Sequence, residues 1–157
     1  MRFCKPCCGS YTLILSQKNG QIESAFGDLA IETLDSSQTE KQKIIDQFLT
    51  YLTLHEIGHT LGLTHNMKSS QLHSINEIHD EALTSKVGLT GSVMDYPAVN
   101  IALDRSKQGL YWTQRPGPYD IWAVKFAYQQ DRSELDTKKL LNQSTKHELM
   151  FGNDADD

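Results

Sequence analysis

The segment from Ser37 to Gly62 constrains the fold more than any other part of the sequence, because it carries a complete set of helix signals. Ser37 is followed three residues later by Glu40, a capping-box pattern placed just before a long periodic run of apolar residues. Gly62 is the expected stop, because glycine readily adopts the left-handed conformation that ends helices. The face predicted to be buried carries Ile44, Phe48, Tyr51, Leu52, His55 and His59. The opposite face carries Lys43, Asp46, Gln47, Thr50 and Thr53.

The two histidines at the end of the buried face belong to a spacing pattern that can hold a metal ion. Residues 55 to 65 satisfy His-Glu-x-x-His-x-x-Gly-x-x-His at every specified position. Histidines four residues apart lie on one helical face, so His55 and His59 can bind the same ion through nitrogens about 2.0–2.1 Å from zinc. Gly62 lets the chain double back so that His65 supplies a third ligand. A fourth position then stays open for water, as in catalytic zinc sites.

Glu56 lies about 100° around the helix from His55, so its carboxylate can stand beside the ion without binding it. That position predicts a general base, which accepts a proton from metal-activated water. A lone histidine on an apolar face is usually a hydrogen-bonded core residue, but here three histidines and a carboxylate need one common explanation. Burying Glu56 beside two histidines without a metal would cost several kcal/mol.

The composition is that of an ordinary globular protein, and we expect residues 1–157 to form one domain. The net charge of -5 and the absence of a basic cluster argue against nucleic acid or an anionic membrane as a partner. No stretch approaches the roughly 20 apolar residues of a transmembrane helix. Cys4, Cys7 and Cys8 are either free thiols or one local disulfide with a spare thiol, and they decide neither compartment nor function.

The remaining elements are predicted from local patterns. Residues 11–15 are β-prone and indicate a short strand, while residues 71–86 have a weaker helical pattern through Leu72, Ile75, Ile78, His79 and Leu83. Residues 93–97 end in a proline and predict a turn.

The C-terminal third combines an irregular connection with two helices. Residues 100–119 are polar and rich in glycine and proline, which predicts the irregular connection. Ile121 to Tyr128 and Ser133 to Asn142 are predicted helices, and the aspartates at the end of the sequence are expected to be solvated.

Three segments of the sequence resemble known zinc peptidases. Residues 55 to 65 resemble the zinc motif of the metzincin clan, and Ser92-Val93-Met94-Asp95-Tyr96 resembles the Met-turn of that clan. The run from Leu54 to Asn66, the segment from Gly91 to Pro97 and residues 117–123 together resemble a family of large bacterial zinc-dependent metalloproteases, over about residues 45 to 130. The resemblance implies an α+β metzincin-like core with a long active-site helix, a Met-turn and a C-terminal helix. It also implies that Met94 packs beneath the histidines.

The function implied is that of a zinc-dependent endopeptidase acting on peptides or proteins, with Zn²⁺ held by His55, His59 and His65. Glu56 would be the general base. In some metzincins a tyrosine at the position of Tyr96 reaches the zinc, so Tyr96 is either a second catalytic residue or a buried turn residue bonded to backbone. Asp95 either accepts the Tyr96 hydroxyl proton or caps the turn. The resemblance also implies an exported or envelope-associated bacterial protein.

Two alternatives stay open. Glu77 with Glu81 resembles the helix from which gluzincin peptidases supply a glutamate ligand, although His65 is in better register. The second alternative is an inactive remnant that binds metal or a partner, because only 54 residues precede His55 and they contain one good strand. We therefore expect an incomplete upstream sheet and a longer native protein. The remaining histidines fit no ligand spacing: His73, His79 and His147.

Overall fold

The computed structural model describes residues 37–153, which fold into four α-helices joined by irregular segments and short 3-10 helices. The α-helices are α1 (Gln38–Thr60), α2 (Glu81–Val87), α3 (Pro118–Tyr128) and α4 (Glu134–Leu141). The 3-10 helices are Met67–Leu72, Arg105–Lys107 and His147–Leu149.

The described part of the chain contains no β-strand, so the sheet of the expected α+β fold stays a prediction. The strand predicted at residues 11–15, the three cysteines and the terminal aspartates lie outside residues 37–153. The helical part of the expectation, by contrast, can be compared with the structure element by element.

Helix α1 begins where the capping pattern predicts. The Ser37 hydroxyl oxygen accepts a hydrogen bond from the backbone N–H of Glu40 at 3.2 Å. The Glu40 carboxylate contacts the guanidinium of Arg105 and the hydroxyl of Tyr111. The first turn of α1 is therefore tied to the connection that precedes α3.

Helix α1 ends in a Schellman motif built on the predicted glycine. Gly62 has a φ of 81°, its N–H donates to the carbonyl of His59 at 2.9 Å, and the N–H of Leu63 donates to the carbonyl of Gly58 at 3.0 Å. These two bonds satisfy carbonyls of the last turn. They also reverse the chain immediately after the second histidine of the motif.

One face assignment on α1 was wrong, because Gln47 is buried and not exposed. Its side-chain carbonyl accepts the backbone N–H groups of Tyr111 at 2.8 Å and of Trp112 at 3.2 Å. The connection before α3 crosses this side of the helix with its backbone donors turned inward. A polar acceptor is needed there, since a buried N–H without a partner is costly.

Two apolar clusters hold α1 in place. The first contains Ile44, Tyr51, Tyr111 and Trp112, with Tyr51 stacked on Trp112 at a ring-centroid distance of 5.3 Å. The second contains Leu63, Val93, Met94, Tyr119, Ala123 and Leu149. On α1, His55 lies about one helical turn from Tyr51 of the first cluster and from Gly58, which contacts Met94 of the second.

The helix predicted over residues 71–86 is wrong for its first half. Residues 75–79 form turns, and α2 begins only at Glu81, with the Asp80 carboxylate accepting from the N–H of Leu83 at 3.1 Å. Ile75, which the pattern counts as part of an apolar face, is 88% exposed. The irregular connection after residue 100 and the two C-terminal helices are confirmed, and α4 is capped by Ser133.

Candidate metal centre

The structure brings His55, His59 and His65 together, as the spacing predicts. One nitrogen from each imidazole lies within 4.8 Å of the others, and the Nε2 atoms of His59 and His65 are 3.1 Å apart. Helix α1 positions the rings of His55 and His59 one turn apart. The reversal of the chain at Gly62 brings the ring of His65 back to them. The donor set is three imidazoles, which can hold a metal ion.

Backbone carbonyls orient two of these rings. The Nδ1 atom of His55 lies 2.7 Å from the carbonyl oxygen of Val93, and that of His59 lies 3.2 Å from the carbonyl oxygen of Leu63. A carbonyl accepts only, so each Nδ1 carries the proton and each Nε2 keeps its lone pair for another group. The Nε2 atom of His55 is buried, and no hydrogen-bond partner for it exists within residues 37–153. A metal ion would satisfy this lone pair.

The protonation state of His55 suits the same role. The pKa of His55 is lowered to about 4. Burial is the largest cause, the bond to Val93 opposes it, and the nearby His59 and His65 add to the lowering. The ring is therefore neutral at pH 7. Neutral imidazole is the form that binds a metal ion.

Met94 packs against α1 at Gly58, the residue before His59. Its side chain is fully buried, and its sulfur lies so close to Gly58 that a Cβ added to this glycine would overlap it. The turn at Val93 and Met94 therefore contacts the helix backbone directly, and glycine is the residue that permits this approach.

Asp120 holds this turn from the first turn of α3. Its buried carboxylate accepts three hydrogen bonds: one from the hydroxyl of Ser92, one from the N–H of Val93 at 2.8 Å and one from the N–H of Gly117 at 2.8 Å. Burial raises the pKa of Asp120, and the three hydrogen bonds oppose the shift. The backbone of Val93 is thus held on both sides: its N–H donates to Asp120, and its carbonyl lies against Nδ1 of His55.

Asp95 caps the same turn. Its carboxylate accepts hydrogen bonds from the hydroxyl of Ser69 at 2.9 Å and from the N–H of Tyr96 at 2.8 Å. Its backbone carbonyl accepts a hydrogen bond from the hydroxyl of Tyr51 at 2.6 Å. Burial raises the pKa of Asp95, while the hydrogen bonds from Ser69 and Tyr96 to its carboxylate oppose the shift. Of the two roles considered for Asp95, the structure shows the capping contact.

Asn66, which follows the third histidine, joins the site to a distant part of the chain. Its N–H donates to the carbonyl of Met94 at 3.0 Å, and its side-chain amide donates to the carbonyl of Met150 at 2.9 Å. The side-chain oxygen accepts the N–H of Gly152 at 3.1 Å. Sequence reasoning missed both Asn66 and Asp120. For Asp120, an acid three residues after Gly117 was the available signal, since it matches an N-terminal helix cap.

Tyr96 reaches the histidine group. Its hydroxyl lies 2.9 Å from Nε2 of His65, and its ring centroid is 4.6 Å from that of His65 and 4.9 Å from that of His55. The side chain is 36% exposed, so it stands at the open edge of the group and not in the core.

The two glutamates considered in the sequence differ in their surroundings. Glu56 is half-buried on α1 beside His55. Glu77 is exposed, and its carboxylate accepts two hydrogen bonds from Ser74, one from the N–H at 2.9 Å and one from the hydroxyl at 2.7 Å. These bonds lower the pKa of Glu77. The carboxylate of Glu77 is engaged in a local turn, and the three-ligand group found in the described residues contains His65 instead.

The remaining histidines contact other parts of the chain, outside the three-ligand group. Nε2 of His73 lies 2.8 Å from the carbonyl of Gly88, and Nε2 of His147 lies 3.0 Å from the carbonyl of Gln71. His79 contacts the side chain of Asn100.

The fold and the site define a helical core that presents three histidines over a methionine-containing turn, in position to hold one metal ion. The family model described as Met-zincin matches residues 37–157, and the chain belongs to that family. Searches of curated proteins and of solved structures gave no significant match. In the part of the chain that the structure describes, no helix is both long enough and apolar enough to span a bilayer.

Proposed function

We propose that this chain is the catalytic core of a zinc-dependent endopeptidase in which His55, His59 and His65 bind the zinc. The observation that carries the proposal is the convergence of three imidazoles. Two of them have Nδ1 bonded to a carbonyl, and the buried Nε2 of His55 has no other partner within residues 37–153. Membership of the Met-zincin family supports the choice of zinc. Zinc in such a site polarises a carbonyl and lowers the pKa of water to about 7.

Glu56 is the general base of this proposal. The proposal is supported by its position, since Glu56 follows the first ligand on α1 and lies about 100° around the helix from it, from where a carboxylate can reach the space beside the centre. Glu56 accepts the proton of the attacking water and then delivers it to the leaving amine, a transfer that contributes typically 10²–10⁴-fold to the rate.

Tyr96 is the second catalytic residue of this proposal. The contact between its hydroxyl and His65 places an O–H donor at the edge of the centre. A donor there can stabilise the oxyanion that forms on the peptide carbonyl, and one such donor is worth about 2.7–4 kcal/mol. Substrate enters from the solvent side, where Tyr96 is exposed.

Metal content and hydrolysis, measured separately, test the proposal. The purified chain should contain one equivalent of zinc that a chelator removes, and His55→Ala, His59→Ala and His65→Ala should each lose it. His147→Ala is the matched control, since this exposed histidine lies outside the group. A well-folded chain that takes up no transition metal after zinc supplementation would overturn the assignment.

Glu56→Gln separates the base from the ligands. It should retain zinc and lose about 10²-fold or more of the peptidase activity, because the amide keeps the shape but not the basic oxygen. Glu77→Gln, at an exposed carboxylate, should retain both zinc and activity. Equal loss of zinc and activity in Glu56→Gln would make Glu56 a ligand or a structural residue. Stoichiometric zinc without hydrolysis of any protein substrate would favour the inactive metal-binding alternative.

A further inference from the structure

A cleft lies on the side of α3 that faces away from the turn at Met94. It has a volume of about 410 Å³ and is bounded by α3, the end of α2 and the chain that follows α4. Asp120 and Ala123 of α3 are buried toward the metal centre, whereas Ile121 and Lys125 of the same helix line the cleft. No histidine of the metal centre lines the cleft, nor does Glu56 or Tyr96, so the two sites are distinct.

The charged lining of the cleft is strongly biased toward cations in a chain whose net charge is -5. It contains one acidic residue, Glu148, and four basic ones: Lys86, Arg115, Lys125 and Lys146. Lys146 pairs with Glu148 at 3.8 Å. Within residues 37–153, no carboxylate lies within 4.0 Å of the cationic nitrogens of the other three. Clustered like charges create a local positive potential that attracts anions.

Arg115 lines the cleft, and one of its contacts fixes the guanidinium. One terminal nitrogen donates to the carbonyl of Ser85 at 3.3 Å, while the Nε is buried away from solvent and offers no contact to a ligand. A guanidinium binds carboxylates readily, because its donors match the spacing of two carboxylate oxygens.

The apolar lining of the cleft is centred on a fixed indole. Trp122 donates its Nε1–H to the carbonyl of Leu140 at 2.8 Å and stacks on Phe126 at a centroid distance of 6.0 Å. The polar edge of the ring is therefore satisfied, and the half-buried ring contributes apolar surface to the cleft. Such a surface favours an aromatic or aliphatic side chain.

We propose that this cleft binds an acidic peptide segment that carries one large apolar side chain. The carboxylates would contact Lys86, Arg115 and Lys125, and the apolar side chain would contact Trp122. The volume is in the range of sites for ligands of a few residues, and an inorganic anion would make no use of the apolar lining. The inference requires neither bound zinc nor peptidase activity, so it can fail independently of the proposed function.

Titration of the zinc-loaded Glu56→Gln chain with acetyl-Asp-Asp-Phe-Asp-amide tests the proposal, since this variant leaves the peptide intact. Calorimetry should show saturable binding that the double variant Lys86→Glu/Lys125→Glu weakens by at least about tenfold. The matched control is Lys107→Glu/Lys138→Glu, at two exposed lysines outside the cleft, which should bind within about twofold of the parent. Raising the salt from 0.05 to 0.5 M should weaken binding several-fold.

Two further peptides decide the chemistry of the ligand. Replacing Phe by Gly should weaken binding at least about fivefold, because the indole contact is lost. Replacing each Asp by Asn should nearly abolish binding. Equal affinity for the Asn peptide, or equal binding by the double cleft variant, would overturn the proposal. Inorganic phosphate binding as tightly as the peptide would overturn it too, since the cleft would then be a simple anion site. Zinc content of the double variant should be unchanged.

Discussion

Replacing Asp120 should loosen the metal centre without touching any of its three histidines. The Asp120 carboxylate accepts from the hydroxyl of Ser92 and from the backbone N–H groups of Val93 and Gly117. In Asp120→Ala all three donors lose their acceptor inside the core. The hydroxyl can rotate toward another oxygen, but the two backbone N–H groups are fixed by the turn and by the start of α3.

The cost follows from those two donors. Each buried N–H left without a partner costs about 1–3 kcal/mol, which gives about 2–6 kcal/mol for the pair. Removing the carboxylate also relieves its own burial, which is unfavourable enough to raise the pKa of Asp120. We therefore expect the lower half of that range, about 2–4 kcal/mol, out of a total stability of about 5–15 kcal/mol for a domain.

The effect should reach the metal through Val93. The carbonyl of Val93 holds the Nδ1–H of His55, so a displaced Val93 peptide no longer orients that ring. Loss of such outer partners typically lowers metal affinity by about 10–100-fold, and we expect about tenfold here because Asp120 acts through one intervening residue.

Urea unfolding of the metal-free chain and zinc titration against a chelating dye measure the two effects. Asp104→Ala is the control, because Asp104 also caps a turn through its carboxylate but is exposed. That variant should lose about 1 kcal/mol at most and bind zinc normally. Asp120→Asn, which keeps one acceptor oxygen, should fall between Asp120→Ala and the unaltered chain. If Asp120→Ala matched the control in both unfolding midpoint and zinc affinity, the reasoning would be refuted.

Three further predictions concern other contacts of the core and the site. Tyr96→Phe should lower peptidase turnover about a hundredfold with zinc content unchanged, and normal turnover in the fully metallated variant would remove Tyr96 from the mechanism. Gly58→Ala should cost about 1–3 kcal/mol in urea unfolding, because its methyl group overlaps the Met94 sulfur. Adding Met94→Ala should then cost less than the sum of the single effects, and strict additivity would contradict the overlap. Gln47→Ala should cost about 2–4 kcal/mol by leaving two buried backbone donors unpaired, whereas Thr50→Ala on the exposed side should change unfolding little.

The parts of the fold that local sequence signals specify were predictable. The start of α1 at Ser37 and its end at Gly62 each depend on residues within about one helical turn, so the pattern alone identifies them. The same holds for the grouping of His55, His59 and His65, because helical spacing and one reversal position all three rings.

The parts that depend on distant chain were not predictable. Gln47 is polar and lies opposite the apolar stripe, yet it is buried. Its hydrogen-bond partners are Tyr111 and Trp112, which follow it in the sequence by 64 and 65 positions. Asp120 has the local signature of a helix cap, and its contact with Val93 spans 27 positions. Residues 71–79 show the reverse error, since apolar spacing suggested a helix where Glu77 and Ser74 instead form a local turn.

The position of Asn66 in the chain bears on when the metal can be captured. Its side chain is fixed by Met150 and Gly152, which follow it by 84 and 86 positions. During synthesis, α1 and its three histidines emerge from the ribosome well before those two residues, and chain emerges at about 5–20 residues per second. For several seconds the three histidines are therefore present without residues 150–152, which fix Asn66 next to His65. If the three histidines bind zinc as proposed, tight capture is expected only after residues 150–152 have packed against the loop that follows His65.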